Sequence, residues 1–315
     1  MSAPRHFLDL ADFSGDELRG ILQRSKHMKL ARAGQPKGQR EPGEPLKGKV
    51  LALIFERPST RTRVSFEVGM RQLGGDVLLI SANDMQLGRG ETISDTAKVL
   101  SRYVDAIMLR ASTHSHLTDL AKAATVPVIN GLTDQTHPCQ VLADIQTFEE
   151  QVGPIEEAAV AWVGDGNNVA ASWIQAVAKL GGKLKLACPQ ELMPPAPLLA
   201  WAREQKADIE IGNDPVAAVK GAQCVITDAW VSMHDANVAS RHNVLKPYQV
   251  NSFLMSVAGP GAKFMHCLPA HRGEEVTDAV IDSSESLVFA EAENRLHVQK
   301  AILLHCLAAD AGANG

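Results

Sequence analysis

Short apolar runs alternate with longer segments of helical periodicity along most of this chain, and this alternation restricts its fold more than any other feature. Val50–Phe55 is the first apolar run, helical spacing follows from about Ser59 to Leu73, and Val77–Ser81 is the next run. Such runs have the length of strands but lack the alternation of a strand with one face in water. Strands that alternate with helices of about 10–15 residues predict parallel sheets covered on both faces.

The alternation occurs in two series, which predicts an α/β protein with two doubly wound parallel-sheet domains. The first series ends near Asn130, and a strong helical pattern over Cys139–Gln151 leads to a break at Gly153-Pro154. A length of 315 residues also exceeds what one core usually reaches. We predict strands at Val50–Phe55, Val77–Ser81, Ala106–Leu109, Val128–Asn130, Ala159–Val163, Leu184–Ala187, Ile209–Ile211, Cys224–Thr227, Phe264–His266 and Leu287–Phe289.

The same pattern predicts the domain boundaries. We place the first domain at residues 1–148 and the second at residues 149–293, and we expect the last helix, within residues 294–315, to return to the first domain. Val231–Asn243 is polar and long for an α/β connection, and loops of this length are usually lids or binding loops.

Charge and cysteine content exclude several classes of function. Lys and Arg number 31 against 36 Asp and Glu, and a net charge of −5 excludes a generally basic nucleic-acid-binding protein. No apolar run approaches the roughly 18 residues of a membrane span, and Asp9 interrupts the segment where a secretory signal needs its apolar core. The five cysteines include no Cys-x-x-Cys pair. We therefore expect a cytoplasmic protein with reduced thiols.

The densest group of reactive side chains directly follows the first predicted strand, where residues 56–63 read ERPSTRTR. Ser59 or Thr60 can cap the next helix, whose first N–H groups and positive dipole end favour an anion. Three hydroxyls and two or three guanidiniums lie in the same turn, a composition that suits a phosphate dianion better than a capped helix with solvated arginines. The turn lacks the Gly-x-x-x-x-Gly-Lys pattern of nucleoside-triphosphate sites.

Two further candidates follow strands of the first series. Arg110 directly follows the strand Ala106–Leu109, and His137 and Gln140 open a helix after the strand Val128–Asn130. Ligands of open parallel sheets bind outside the carboxyl ends of the strands, and His with Gln can hold a carbonyl and an amide. From the local sequence alone, surface positions for Arg110 and His137 remain open alternatives.

The second series begins with a Gly-x-Gly turn. Residues 162–168 read WVGDGNN, which resembles a dinucleotide-binding turn, but Val169 stands where the third Gly belongs and Cys188 stands where an acid is needed. Asn167 and Asn168 offer amides suited to an α-carboxylate or α-amine, although helix capping would also explain an Asn at this place.

Two more strand ends carry polar groups. Asp228 follows the strand Cys224–Thr227, and its carboxylate can receive a substrate ammonium or cap a turn. Cys267 follows His266 at the end of another strand. Because the side chains of neighbouring strand residues point to opposite faces of the sheet, Cys267 and His266 are not placed to act together as a nucleophile and its base. Arg295, which we expect at the start of the last helix, can point a further guanidinium inward.

The motifs Ser59-Thr60-Arg61-Thr62-Arg63, His137-Pro138-Cys139-Gln140, Asp228 with Ser232-Met233, and His266-Cys267-Leu268-Pro269 together resemble those of the ornithine carbamoyltransferases. The resemblance runs from about residue 5 to residue 308. The first motif is typical of the wider aspartate/ornithine carbamoyltransferase superfamily, whereas His-Pro-Cys-Gln and His-Cys-Leu-Pro are typical of the ornithine branch.

The resemblance implies two domains, one for each substrate, with the active site in the cleft between them, and a homotrimer with shared active sites. It assigns carbamoyl phosphate to Ser59, Thr60, Arg61, Thr62, Gln86 of a neighbouring subunit, Arg110, His137, Gln140, Cys267, Leu268 and Arg295. It assigns ornithine to Asn167 or, preferably, Asn168, and to Asp228, Ser232 and Met233. The groups it implies in catalysis are Arg110, His137, Asp228, Cys267 and Arg295.

The implied reaction is attack of the ornithine δ-amine on carbamoyl phosphate to give citrulline and phosphate, in arginine metabolism, with biosynthesis as the predicted direction. It requires no metal and no organic cofactor. One residue departs from the family pattern, because His234 stands where Ser-Met is commonly followed by Gly, a residue with freer backbone angles. Alternative acceptors are aspartate, N-acetylornithine and putrescine, and a non-catalytic phosphate-binding module would account for the first motif alone.

Overall fold

A computed structural model of the chain describes residues 3–81, 91–231 and 238–307. It divides into two compact units, Met1–Cys139 with Arg295–Gly315, and Gln140–Asn294. Each unit contains one wholly parallel sheet with helices between consecutive strands. The α/β class with two parallel sheets predicted from the sequence is therefore confirmed.

The first sheet has the strand order β2-β1-β3-β4. Its strands β1 and β3 are apolar except for Arg110 at the end of β3, and the central β1 is buried on both faces as a parallel strand requires. Its bounds are β1 (Val50–Phe55), β2 (Asp76–Ser81), β3 (Ala106–Arg110) and β4 (Val128–Leu132).

The second sheet has the strand order β7-β6-β5-β8-β9. Ala161, Val163, Val225 and Phe264 from three of its strands lie in one buried apolar cluster with residues of the covering helices. Its strands are β5 (Ala159–Val163), β6 (Lys183–Ala187), β7 (Asp208–Gly212), β8 (Cys224–Thr227) and β9 (Lys263–His266).

The helices cover the sheets and begin largely where the apolar periodicity places them. In the first unit Ser14 caps the first helix in a reciprocal capping box with Glu17, and Ser59 caps the second. The described helices are α1 (Gly15–Ala31), α2 (Thr60–Gln72), α3 (Ile93–Leu100), α4 (His114–Ala123), α5 (Pro138–Gln151), α6 (Asn168–Leu180), α7 (Ala196–Glu204), α8 (Pro215–Val219), α9 (Val238–Leu245), α10 (Ser252–Ala258), α11 (Asp278–Ile281) and α12 (Val288–Leu307). In the described part of the chain, no helix combines the length and the apolar character that a membrane span needs.

The structure contradicts the sequence prediction in two places. The predicted strand Leu287–Phe289 is wrong, because Ser286 forms only an isolated bridge to Phe264 and α12 begins at Val288. Arg295 consequently lies inside α12 rather than at its start. The predicted loop Val231–Asn243 is wrong in its second half, where α9 lies; residues 232–237 are outside the described part.

Candidate functional site

Each sheet reverses its strand order once, and the predicted site residues cluster at these two points. In the first sheet the chain leaves β1 to form β2 on one side and later β3 on the other, so the reversal lies between β1 and β3. Ser59 and Thr60 follow β1, and Arg110 ends β3. Such a reversal leaves a crevice at the carboxyl ends of the strands, which is where ligands of open α/β sheets bind.

Thr62 lies at the centre of this first group, which we call the arginine cluster: Arg61, Thr62, Arg110, His137 and Arg295. The Thr62 side chain is fully buried. Its Oγ1 accepts hydrogen bonds from Arg110 Nη1 at 3.3 Å and from Arg295 Nη2 at 2.7 Å. Residues separated by more than 200 positions in the chain therefore converge on one hydroxyl.

His137 is a neutral member of the arginine cluster. Its side chain is only 3% exposed. Burial lowers the pKa of His137 well below its ordinary value, and the charges of Arg295, Arg110 and Arg61 lower it further. A neutral imidazole can donate one hydrogen bond to a ligand oxygen without adding a fourth positive charge.

The depressed pKa of His137 predicts a pH-dependent loss of stability. Below about pH 6.5 an unfolded chain protonates this histidine while the folded chain does not, so the free energy of unfolding decreases as the pH decreases. This group alone contributes a slope of up to about 1.4 kcal/mol per pH unit. Urea titrations between about pH 7 and 5.5 should show a smaller fall for His137→Gln than for the unchanged protein. Equal pH dependence of the two proteins would contradict the buried neutral imidazole.

Arg63 does not belong to the arginine cluster, although the sequence motif includes it. Its side chain is exposed and lies 3.9 Å from Glu67 one helical turn later. Residues three positions apart in α2 share a face, whereas Arg61 and Arg63 are two apart and diverge. Arg61 is therefore the guanidinium that this motif contributes to the cluster.

The second sheet reverses between β5 and β8, and a second group of polar side chains lies there. Asn167 follows β5 and caps α6, its Oδ1 accepting from the N–H groups of Val169 and Ala170. Its Nδ2 donates to Asp228 Oδ2 at 2.7 Å, and Cys267 Sγ donates to Asp228 Oδ1 at 3.0 Å. We call Asn167, Asp228 and Cys267 the Asp228 cluster.

Cys267 is a thiol rather than a thiolate in this arrangement. Burial raises its pKa well above the ordinary value, and the negative charge of Asp228 together with their hydrogen bond raises it further. Because the thiolate is the nucleophilic form, the site holds Cys267 as a hydrogen-bond donor.

A buried carboxylate holds the segment around Cys267. His266 Nε2 faces Glu275 Oε1 at 3.2 Å, and His266 Nδ1 accepts from the Leu268 N–H at 2.9 Å. Leu268 has a left-handed backbone with φ of 56°, which is uncommon outside glycine. The two sides of His266 therefore bind Glu275 and Leu268, and Cys267 points to Asp228.

Gln140 is fixed by two buried acids that the sequence patterns missed. Gln140 Nε2 donates to Asp144 Oδ1 at 2.8 Å and to Glu291 Oε1 at 2.9 Å, and Glu291 Oε2 accepts from the His266 N–H at 3.0 Å. The signal that could have located Glu291 is its spacing, because α12 begins at Val288 and Glu291 lies one helical turn before Arg295.

The remaining predicted residues are placed as follows. Asn168 is the first residue of α6 and is partly exposed, while the side chain of Asn167 is taken up by capping and by Asp228. Cys139 is buried, its thiol donating to the Asn130 carbonyl at 3.3 Å, and burial raises its pKa to about 12. Gln86, Ser232, Met233 and His234 lie outside the described residues.

Two groups of described residues have metal-ligand chemistry, namely Asp228 with His266 and Cys267, and His271 with Glu274 and Glu275. In the first group the polar atoms already bind one another or Glu275 and Leu268, so an ion would have to displace these hydrogen bonds. The polar atoms of the first group are thus already engaged in hydrogen bonds within the protein.

Comparison with known proteins identifies both halves of the chain. Residues 5–150 match the aspartate/ornithine carbamoyltransferase carbamoyl-P binding domain, and residues 156–306 match the Asp/Orn binding domain. The ornithine carbamoyltransferase of Nitrobacter winogradskyi is 61% identical over 98% of both chains.

Solved structures give the same result. The ornithine carbamoyltransferase from Pyrococcus furiosus is 50% identical over 97% of both chains, with a TM-score of 0.91. The anabolic ornithine carbamoyltransferase from Campylobacter jejuni is 37% identical, covers 96% of this chain and 98% of its own, and has a TM-score of 0.89.

Proposed function

This chain belongs to the aspartate/ornithine carbamoyltransferase family, in its ornithine branch, and we propose that it makes L-citrulline and phosphate from carbamoyl phosphate and L-ornithine as a step of arginine biosynthesis. The observation that carries the proposal is the pair of polar clusters at the two strand-order reversals, one cationic and one built on a carboxylate. The protein is a carbamoyltransferase, and its two substrates have complementary charges to these clusters.

The arginine cluster suits carbamoyl phosphate. We assign the phosphate to Ser59, Thr60, Arg61 and Thr62, because the capped start of α2 presents N–H groups beside guanidiniums. Arg110 and Arg295 meet at Thr62 Oγ1, so the Thr62 O–H and the two guanidiniums can all donate to substrate oxygens. Arg110 and His137 then donate to the carbamoyl oxygen, where negative charge develops during attack.

We also assign Gln140, Cys267 and Leu268 to the carbamoyl group. The Gln140 amide nitrogen donates to both Asp144 and Glu291. Its carbonyl oxygen is then the atom that can accept a hydrogen bond from the carbamoyl NH₂. This orientation would distinguish a carbamoyl group from an acetyl group, which has no N–H to donate.

The Asp228 cluster suits ornithine. We assign the δ-amine to Asp228 and Cys267, and the α-amino-acid end to Asn168, Ser232 and Met233, with Asn167 holding Asp228 in place. The δ-amine is protonated in water, with a pKa similar to that of Lys near 10.4, and it must lose that proton to attack. Positive charges close to an ammonium lower such a pKa, since like charges disfavour the charged form, whereas the Asp228 carboxylate opposes that shift.

The reaction balances without a further reactant. The neutral δ-amine forms a bond to the carbamoyl carbon, the bond from that carbon to the phosphate oxygen breaks, and the phosphate leaves. The nitrogen gives up one proton, which the departing phosphate can accept. Arg61, Arg110 and Arg295 stabilise the negative charge as it moves onto the phosphate.

We further propose a cytoplasmic homotrimer with shared active sites. Leu78 and Leu79 lie on the edge strand β2 with 45% and 39% of their side chains exposed, and Val64 on α2 is also exposed. Exposed apolar residues on an edge strand favour contact with another subunit. Gln86 follows this strand in sequence and is the residue that we expect one subunit to contribute to the next. The anabolic relative from Campylobacter jejuni supports the biosynthetic direction.

A product assay tests the activity. Purified protein is supplied with carbamoyl phosphate and, separately, ornithine, N-acetylornithine, putrescine and aspartate, and the ureido product is measured. We expect product with ornithine alone. Product formed chiefly with another amine would show that this amine, and not ornithine, is the acceptor substrate. Phosphate binding without any ureido product would support a non-catalytic phosphate-binding module instead.

A further inference from the structure

We infer that Asp9, in the N-terminal segment, is a positioning residue for His137, an inference that rests on the carbamoyl-transfer function proposed above. The N-terminal segment lies beside β4, the outer strand of the first sheet. The Phe7 N–H donates to the Val128 carbonyl and the Asn130 N–H donates to the Phe7 carbonyl, both at 2.8 Å. These bonds cover the strand edge and place Asp9 at its carboxyl end, next to the turn that precedes His137.

Asp9 closes a ring of hydrogen bonds around that turn. One carboxylate oxygen accepts from the Thr136 hydroxyl, and the other lies 3.4 Å from His114 Nε2. His114 Nδ1 is 3.0 Å from Thr133 Oγ1, and the Thr136 N–H donates to that same oxygen at 3.2 Å. The side chains of Asp9, His114 and Thr133, together with the side chain and backbone N–H of Thr136, thus form one closed circuit.

The ring fixes the peptide that enters His137. The Thr136 carbonyl, which belongs to that peptide, accepts from the Thr133 N–H at 3.0 Å. Asn130 Nδ2 also donates to Thr136 Oγ1 at 3.0 Å and to the Leu8 carbonyl at 2.8 Å. The N-terminal segment therefore holds Thr136 directly through Asp9 and indirectly through Asn130. Pro138 follows directly, and the bulk of its ring restricts the backbone of the preceding His137.

The ring also has one proton arrangement that satisfies all of its members. The ionised Asp9 accepts from Nε2–H of His114, which makes Nδ1 an acceptor for the Thr133 hydroxyl. Thr133 Oγ1 can then accept from the Gln135 and Thr136 N–H groups at 3.2 Å each. Burial raises the pKa of Asp9, while the Thr136 hydroxyl and His114 oppose the shift. The carboxylate is therefore held at this partly buried place by specific donors.

A double-mutant cycle tests the inference. Asp9→Ala should lower kcat for citrulline formation at least about tenfold and leave KM for ornithine within about twofold, because a catalytic group shifted by a fraction of an ångström loses rate rather than acceptor binding. In a His137→Ala background, the same Asp9→Ala change should cost less than about twofold. Asp16→Ala, at an exposed position in the first turn of α1, is the matched control and should leave kcat unchanged.

Equal losses in both backgrounds, or a folded Asp9→Ala protein with normal kcat, would overturn the inference. If Asp9→Ala does not fold, Thr136→Val decides, because it keeps the side-chain volume and removes the hydroxyl that Asp9 and Asn130 bind. If the unchanged protein makes no citrulline, the proposed function fails separately. The imidazole NMR signal of His137 then decides: a shift in Asp9→Ala supports positioning, and an unmoved signal refutes it.

Discussion

Replacing Arg110 by alanine should reduce kcat for citrulline formation by about 10²–10³-fold, the loss typical of removing one donor that stabilises a developing oxyanion. Arg110 ends β3 at the strand-order reversal, and its Nη1 reaches Thr62 Oγ1, the oxygen that Arg295 also binds. No other side chain in the described part of the cluster extends from the same strand end. We therefore expect no neighbour to replace it, and steady-state kinetics measures the effect.

Arg63→Ala is the matched control for Arg110→Ala, because it removes a guanidinium from the same sequence motif whose side chain lies in solvent beside Glu67. It should leave kcat within about twofold, as exposed ion pairs contribute little. Arg110→Ala should also not lower the melting temperature, since it relieves repulsion among three clustered cations. Near-normal turnover of folded Arg110→Ala would refute its assignment.

The strand ends could be predicted from the sequence because parallel strands of this kind are nearly pure apolar runs with polar residues directly after them. Val50–Phe55, Ala159–Val163 and Cys224–Thr227 occur as predicted. The motif after the first of these locates Ser59 and Arg61, since a capped helix start that carries guanidiniums has a recognisable composition. The alternation also predicts both sheets, because each strand needs a covering helix.

The residues that orient the candidate site could not be predicted in this way. Asp9, Glu275 and Glu291 are ordinary acids in the sequence, and their roles depend on partners 9 to 151 positions away. Burial of an acid is visible only once the fold brings donors to it. The error at Leu287–Phe289 has a similar cause, because a short apolar run fits either a strand or the first turn of a buried helix.

Replacing Asp228 by asparagine should lower kcat/KM for ornithine by about 10²–10³-fold, the range found when one partner of a hydrogen-bonded charge pair is removed. Asp228 Oδ1 accepts from Cys267 Sγ and from the Ala229 N–H at 2.8 Å, and Oδ2 accepts from Asn167. An amide in this place keeps the shape but puts an NH₂ against an existing donor, whichever carboxylate oxygen it replaces. Ornithine would lose its counter-charge, and either the Asn167 contact or the contacts of Cys267 and Ala229 would become repulsive.

Three measurements distinguish this role of Asp228 from a general disturbance of the second unit. Asp214→Asn is the matched control, because Asp214 is an exposed helix cap for which Asn is an equivalent residue, and it should not change turnover. Binding of inorganic phosphate should survive in Asp228→Asn, since the arginine cluster belongs to the other unit. Alkylation of Cys267 should become faster, because removal of the Asp228 charge lowers the pKa of that thiol towards its ordinary value. Unchanged ornithine kinetics together with faster alkylation would show that Asp228 holds Cys267 without binding the substrate amine.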